Sequence, residues 1–101
     1  MFKASYTTDP AAIPVNKIHT WTLKIETADG KPVTDAEIAV SGDMPEHGHG
    51  LPTQPKMTKN LGNGSYLIEG VKFSMPGFWV MTFTVTSGGK EDKIVYNLNL
   101  K

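Results

Sequence analysis

Two of the three histidines and two of the five methionines fall within residues 44–57, together with three of the seven prolines. His47 and His49 are two residues apart, so in extended backbone their imidazoles would project to one side, about 6.5 Å apart at Cα. Imidazole accepts Cu(I), Cu(II) or Zn(II), and thioether favours Cu(I). A His/Met set without thiolate therefore points to copper before zinc, with nickel a weaker alternative.

The predicted ligands come from this segment and its surroundings. We expect Met44, His47 and His49 to bind the ion, with Met57 or Met75 as a fourth ligand. A structural interpretation is also open, because histidines can bond loop backbone and Met44 could fill one end of the fold. In that case the chain is a structural or protein-interaction module whose rigid Pro-rich loop holds no metal.

Composition narrows the function classes. There is no cysteine, which excludes disulfides, thiolate nucleophiles and Cys-type zinc sites. The formal net charge is zero and all ten basic residues are Lys, so we expect no nucleic-acid partner. No apolar run approaches the length that a bilayer requires, so we expect no direct membrane insertion. No nucleophile elbow or phosphate loop occurs. Asp43 and Glu46 could orient an imidazole, but we expect no enzyme.

The hydrophobic period is two nearly throughout, which predicts strands rather than helices. Gly70 suggests a bulge, Tyr66 a tyrosine-corner-like contact with backbone, and residues 87–90 a hairpin turn. His19 and Met81 lie on apolar stripes, so we expect a partly buried, hydrogen-bonded histidine and a core methionine. The strands are predicted at residues 18–27, 36–42, 57–61, 66–73, 79–86 and 93–100.

Strands of this kind, separated by short Gly/Pro turns and each with one apolar face, imply two packed antiparallel sheets. We therefore predict an all-β fold, an immunoglobulin-like antiparallel β-sandwich of about seven strands, with a small barrel as the rival geometry. Residues 1–101 are expected to form a single domain, in which residues 1–16 are a lead-in or edge segment.

Several blocks in order carry a family resemblance over roughly residues 17–100. They are Gly30-Lys31-Pro32-Val33, Ala36-Glu37-Ile38, Met44-Pro45-Glu46-His47-Gly48-His49-Gly50-Leu51-Pro52-Thr53-Gln54-Pro55, Gly64-Ser65-Tyr66 and Phe73-Ser74-Met75-Pro76-Gly77-Phe78-Trp79. In this order the chain resembles the YtkA-like/FixH-like family of extracytoplasmic β-sandwich domains. The two Pro-containing blocks are the specific part of the resemblance.

The resemblance implies a periplasmic or otherwise extracytoplasmic domain, with a signal or anchor that this sequence does not include. It also implies, by analogy, copper handling and the assembly of respiratory oxidases, with a membrane-bound or periplasmic protein as partner. FixH-like members carry a transmembrane helix, which this sequence lacks.

Overall fold

The computed structural model describes residues 2–101, and eight strands account for most of them. In chain order they are β1 (Lys3–Asp9), β2 (His19–Glu26), β3 (Glu37–Met44), β4 (His49–Gly50), β5 (Lys56–Gly62), β6 (Ser65–Val71), β7 (Gly77–Ser87) and β8 (Lys90–Leu100). Within residues 2–101, no helix is long and apolar enough to cross a membrane.

The strands form two four-stranded antiparallel sheets, ordered β1-β2-β6-β5 and β4-β3-β7-β8. This confirms the predicted all-β sandwich, with eight strands instead of about seven. All six predicted strands are present with shifted ends. The two further strands are β1, an edge strand within residues 1–16, and the two-residue β4, which lies inside the segment expected to be a loop.

Alternating side chains build the core between the sheets. On β7 the four inward residues are fully buried while the threonines between them face outward, as the period of two requires. Met81 is one of the four, as predicted. The inward residues of β7 are Trp79, Met81, Phe83 and Val85, and they meet Trp21, Leu23, Ile25, Tyr66, Ile68, Val71 and Phe73 from the facing sheet and its connections.

Two local devices predicted from the sequence are present. The β2–β6 register shifts between His19 and Trp21, where Gly70, with a φ of 84°, forms the expected bulge. The buried Tyr66 hydroxyl donates to the Val33 carbonyl at 2.6 Å and accepts from the Ala36 N–H at 3.0 Å. This contact fastens the chain between β2 and β3 to the facing sheet, and it is the predicted tyrosine-corner contact.

His19 is buried and fully hydrogen-bonded. Its Nδ1–H donates to the Lys17 carbonyl at 3.1 Å, and its Nε2 accepts from the Trp21 indole N–H at 3.0 Å. Both ring nitrogens are therefore used, which fixes the tautomer and leaves no lone pair for a metal ion. The prediction of a satisfied structural histidine is confirmed.

Candidate functional site

The candidate site is the turn between β3 and β4, which we call the histidine hairpin (residues 44–50). Met44 and His49 are directly opposite each other in the β3–β4 pairing, and residues 45–48 form the turn between them. The N–H groups of His47 and Gly48 both donate to the Met44 carbonyl, at 3.0 and 2.9 Å. Gly48 has a φ of 67°, which favours glycine and closes the turn.

The two imidazoles of the hairpin lie side by side in solvent. Both residues are exposed, and the ring centroids of His47 and His49 are 6.0 Å apart with planes at 34°. Metal–nitrogen bonds of about 2.0–2.1 Å place each centroid about 3.2 Å from a shared ion, so two such rings are at most about 6.4 Å apart. The observed centroid separation lies within this limit. A tight turn brings the two rings this close, whereas the sequence analysis expected extended backbone to do so.

The orientation of the His49 ring is held by its own backbone. Its Nδ1 lies 3.2 Å from the Gly50 carbonyl oxygen, to which only a protonated nitrogen can donate. In the neutral tautomer that donates this hydrogen bond, Nε2 carries the lone pair and is the atom that would bind a metal. Metal-binding histidines commonly donate their second nitrogen to a carbonyl in this way. The Gly50 carbonyl thus orients the imidazole, which is the role that the sequence suggested for Asp43 or Glu46.

Met44 is paired with His49 across the hairpin, but its side chain is buried whereas the two imidazoles are exposed. Its side chain is 1% exposed and belongs to the core cluster. Its terminal methyl packs so closely on Gly77 that a Cβ there would lie 2.7 Å from the Met44 Cε. In this conformation the Met44 side chain packs in the core, as the structural interpretation expected.

The other two predicted methionines are half-buried and occupy different places. Met75 lies between β6 and β7, and its carbonyl accepts the Trp79 indole N–H at 3.0 Å. Met57 is on β5 of the other sheet, paired with Ile68. Both pack against the core. The structure thus brings together the rings of His47 and His49, buries the Met44 side chain, and places Met57 on a strand of the facing sheet.

A row of rings connects the hairpin to the core, and sequence reasoning did not identify it. His49 meets the Trp79 indole with centroids 5.8 Å apart, Trp79 meets Phe73 at 5.1 Å, and Phe73 meets His19 at 5.6 Å. The sequence could have indicated this row through the pairing of Met44 with His49 on the inward face of β3 and β4. That pairing can be predicted only once the two-residue β4 is recognised.

Acidic ligands do not complete the site. Within the described part of the chain, no group of three or more His, Cys, Asp or Glu side chains is placed to hold a metal ion. A cavity of about 380 Å³ lies at the opposite end of the sandwich, where the β7–β8 turn approaches residues 32–35.

The comparisons with known proteins agree with the fold. A family model described as YtkA-like matches residues 2–84. The crystal structure of a DUF4426 family protein from Pseudomonas aeruginosa PAO1 is similar with a TM-score of 0.64 and 12% identity, covering 98% of this chain and 87% of that chain. At this identity the likeness shows the fold alone. No curated protein matches the sequence.

Proposed function

This chain belongs to the YtkA-like family, and from that premise we propose that it is a periplasmic, non-enzymatic domain that binds copper at the histidine hairpin. His47 and His49 would supply two imidazole ligands. The proposal rests on one observation above all: two exposed rings lie 6.0 Å apart, and the Nδ1–H of His49 is tied to the Gly50 carbonyl. Imidazole nitrogen suits both oxidation states of copper.

Thioether sulfur would complete the coordination of Cu(I) in preference to that of Cu(II). Sulfur favours Cu(I), and the two candidates are Met44, which belongs to the hairpin, and Met75, whose carbonyl accepts the Trp79 indole N–H. Met44 would have to leave the core to bind, whereas Met75 is already half-exposed. Met57 is the least favoured of the predicted ligands, because its strand lies in the other sheet.

An exposed pair of ligands suits transient binding. Two imidazoles leave coordination positions open to water or to donors from another molecule, so the ion could be passed on by ligand exchange. A membrane-bound or periplasmic protein is the partner that this role requires.

A copper titration tests the proposal directly. Cu(I), under reducing conditions, and Cu(II) are added separately to the metal-free domain while the three histidine ring signals are followed by NMR. We expect the signals of His47 and His49 to shift or broaden at one equivalent, while the signals of His19 remain unchanged because both its nitrogens are occupied. Unchanged His47 and His49 signals at stoichiometric copper would reject copper binding here.

Two variants separate the ligands. His47→Ala with His49→Ala should abolish binding of both oxidation states. Met44→Leu conserves volume and should cost less than about 1.5 kcal/mol of stability. Its effect on Cu(I) affinity then reports whether the thioether leaves the core, and an unchanged Cu(I) affinity removes Met44 from the ligand set.

The burial of Met44 favours a second candidate, a protein-interaction module without metal. In that case the Met44 side chain and the buried Pro55 simply hold residues 44–57 rigid as a recognition surface. The double histidine variant would then bind its partner normally. Truncation of a surface aromatic such as the half-buried Phe78 would weaken that binding instead.

A further inference from the structure

The free edge of β8 differs from the other three sheet edges. Edge strands present unpaired backbone groups, and natural proteins usually protect them with charge, proline, bulges or short length. β4 has two residues and is followed closely by Pro52. β5 carries Lys56 and Lys59 and two register shifts. β1 is bounded by Lys3 and by Asp9 with Pro10. Each of these three edges therefore has a protective device.

β8 lacks most of these devices. It has eleven residues, no proline and no glycine, and its pairing with β7 keeps one register from Gly77–Leu100 to Ser87–Lys90. Its charges lie in the first four residues, so residues 94–100 are uncharged. Within residues 2–101, the backbone–backbone hydrogen bonds of β8 are those with β7. Val95, 52% exposed, is one of three large apolar side chains that stand out at the surface.

We propose that β8 pairs antiparallel with β8 of a second copy of this chain, joining the two four-stranded sheets into one continuous sheet. A strand is the occupant that satisfies a row of backbone donors and acceptors. The proposal is independent of copper binding, because the histidine hairpin lies at the opposite edge of the same sheet.

Charge pairing along β8 favours one register for this contact. Even-numbered residues of β8 face the core, so only registers that pair even with even keep both cores on one side. With Tyr96 on the twofold axis, Glu91 lies opposite Lys101 of the second copy, and Val95 lies opposite Asn97. Moving the axis to Asn97 places Lys93 opposite Lys101, which repels. Charge complementarity therefore favours the axis at Tyr96.

A charge-exchange experiment tests the pairing. The oligomeric state is measured by analytical ultracentrifugation up to millimolar concentration. Glu91 and Lys101 are exposed, so Glu91→Lys and Lys101→Glu should leave the fold intact, as circular dichroism would verify. Each should weaken dimerisation by roughly tenfold, because two symmetry-related pairs become repulsive. The double variant should restore it. Lys59→Glu, on the edge strand β5, is the matched control and should have no effect.

Each outcome is decisive. A dimer that both single variants weaken and the double variant restores supports the β8 pairing in this register. A wild-type chain that stays monomeric at millimolar concentration overturns it. Dimerisation that is unaffected by the β8 charge variants, or that is weakened equally by the β5 control variant, also overturns it, because another surface then makes the contact.

Discussion

His49 lies edge-on against Trp79, with ring centroids 5.8 Å apart and ring planes at 73°. The indole is fully buried, and its N–H donates to the Met75 carbonyl at 3.0 Å. An exposed imidazole therefore rests on an aromatic ring whose own position is fixed by the core. Any ion bound by the His49 Nε2 would lie close to this indole.

Copper binding at the hairpin should therefore quench the fluorescence of Trp79. Cu(II) quenches excited indoles efficiently at contact range, so we expect one equivalent of Cu(II) to remove most of the Trp79 emission. In Trp79→Phe the remaining indole is Trp21, which lies beyond Phe73 in the ring row. That variant should be quenched much less. Equal quenching of both proteins would show that the ion lies elsewhere.

The buried His19 should be important for stability and irrelevant to metal. In His19→Leu the Trp21 indole N–H loses its acceptor in the core, and such a loss costs about 1–3 kcal/mol. Urea unfolding would measure the change. Copper affinity of the folded variant should match that of the wild type, since both His19 nitrogens are already bonded. A parallel loss of copper affinity would contradict this division of roles.

The fold was accessible from sequence because alternation alone defines which face of each strand is buried. Trp79, Met81 and Phe83 alternate with less buried positions, and Gly-rich turns separate the strands. The two-residue β4 was not accessible, because no periodicity can show in His49–Gly50. It forms because the turn at residues 45–48 returns the chain along β3, which is a tertiary effect.

The candidate site could be predicted from the sequence only in part. Histidine spacing indicated His47 and His49 as neighbours, and the structure places their rings together. The position of Met44 could not follow from composition, since a methionine beside two histidines is equally suited to bind metal or to fill a core. Its burial is decided by the close approach of Gly77, which lies 33 positions further along the chain.

The hydroxyl of Tyr96 should contribute nothing to the stability of the fold. Within the described residues its oxygen is buried without a hydrogen-bond partner. Burial, and to a smaller extent the nearby Tyr6, raises the pKa of Tyr96 above its ordinary value of 10.0. The unfolded chain therefore loses this proton first as the pH rises, so stability is retained below about pH 10 and falls above it.

Tyr96→Phe should accordingly be neutral or stabilising near neutral pH, by up to about 1 kcal/mol. The variant should also lose less stability than the wild type between about pH 9 and pH 11. Urea unfolding of the variant and of the wild type at both pH values measures this difference in stability. The lysines titrate in both proteins alike, so their contribution cancels in the comparison. A variant clearly less stable than the wild type at neutral pH would indicate that the hydroxyl has a partner after all.

Gly77 should be required for the packing of Met44 under the hairpin. Its φ of 133° is unfavourable for other residues, and an added Cβ would lie 2.7 Å from the Met44 Cε. Gly77→Ala should therefore cost about 1–3 kcal/mol. The cost should be smaller in a Met44→Leu background, because leucine lacks the terminal methyl. Gly48→Ala is the matched control, since its φ is also positive but no atom lies within 4 Å of the added Cβ.

The two glycines thus separate backbone strain from side-chain contact. A double-mutant cycle by urea unfolding should give a coupling energy between Gly77→Ala and Met44→Leu of about 0.5 kcal/mol or more, and none for Gly48→Ala. Equal costs of Gly77→Ala in both backgrounds would mean that backbone strain alone is responsible. The Met44 side chain would then be free to shift, and its release toward a copper ion would meet less resistance than the packing in this structure implies.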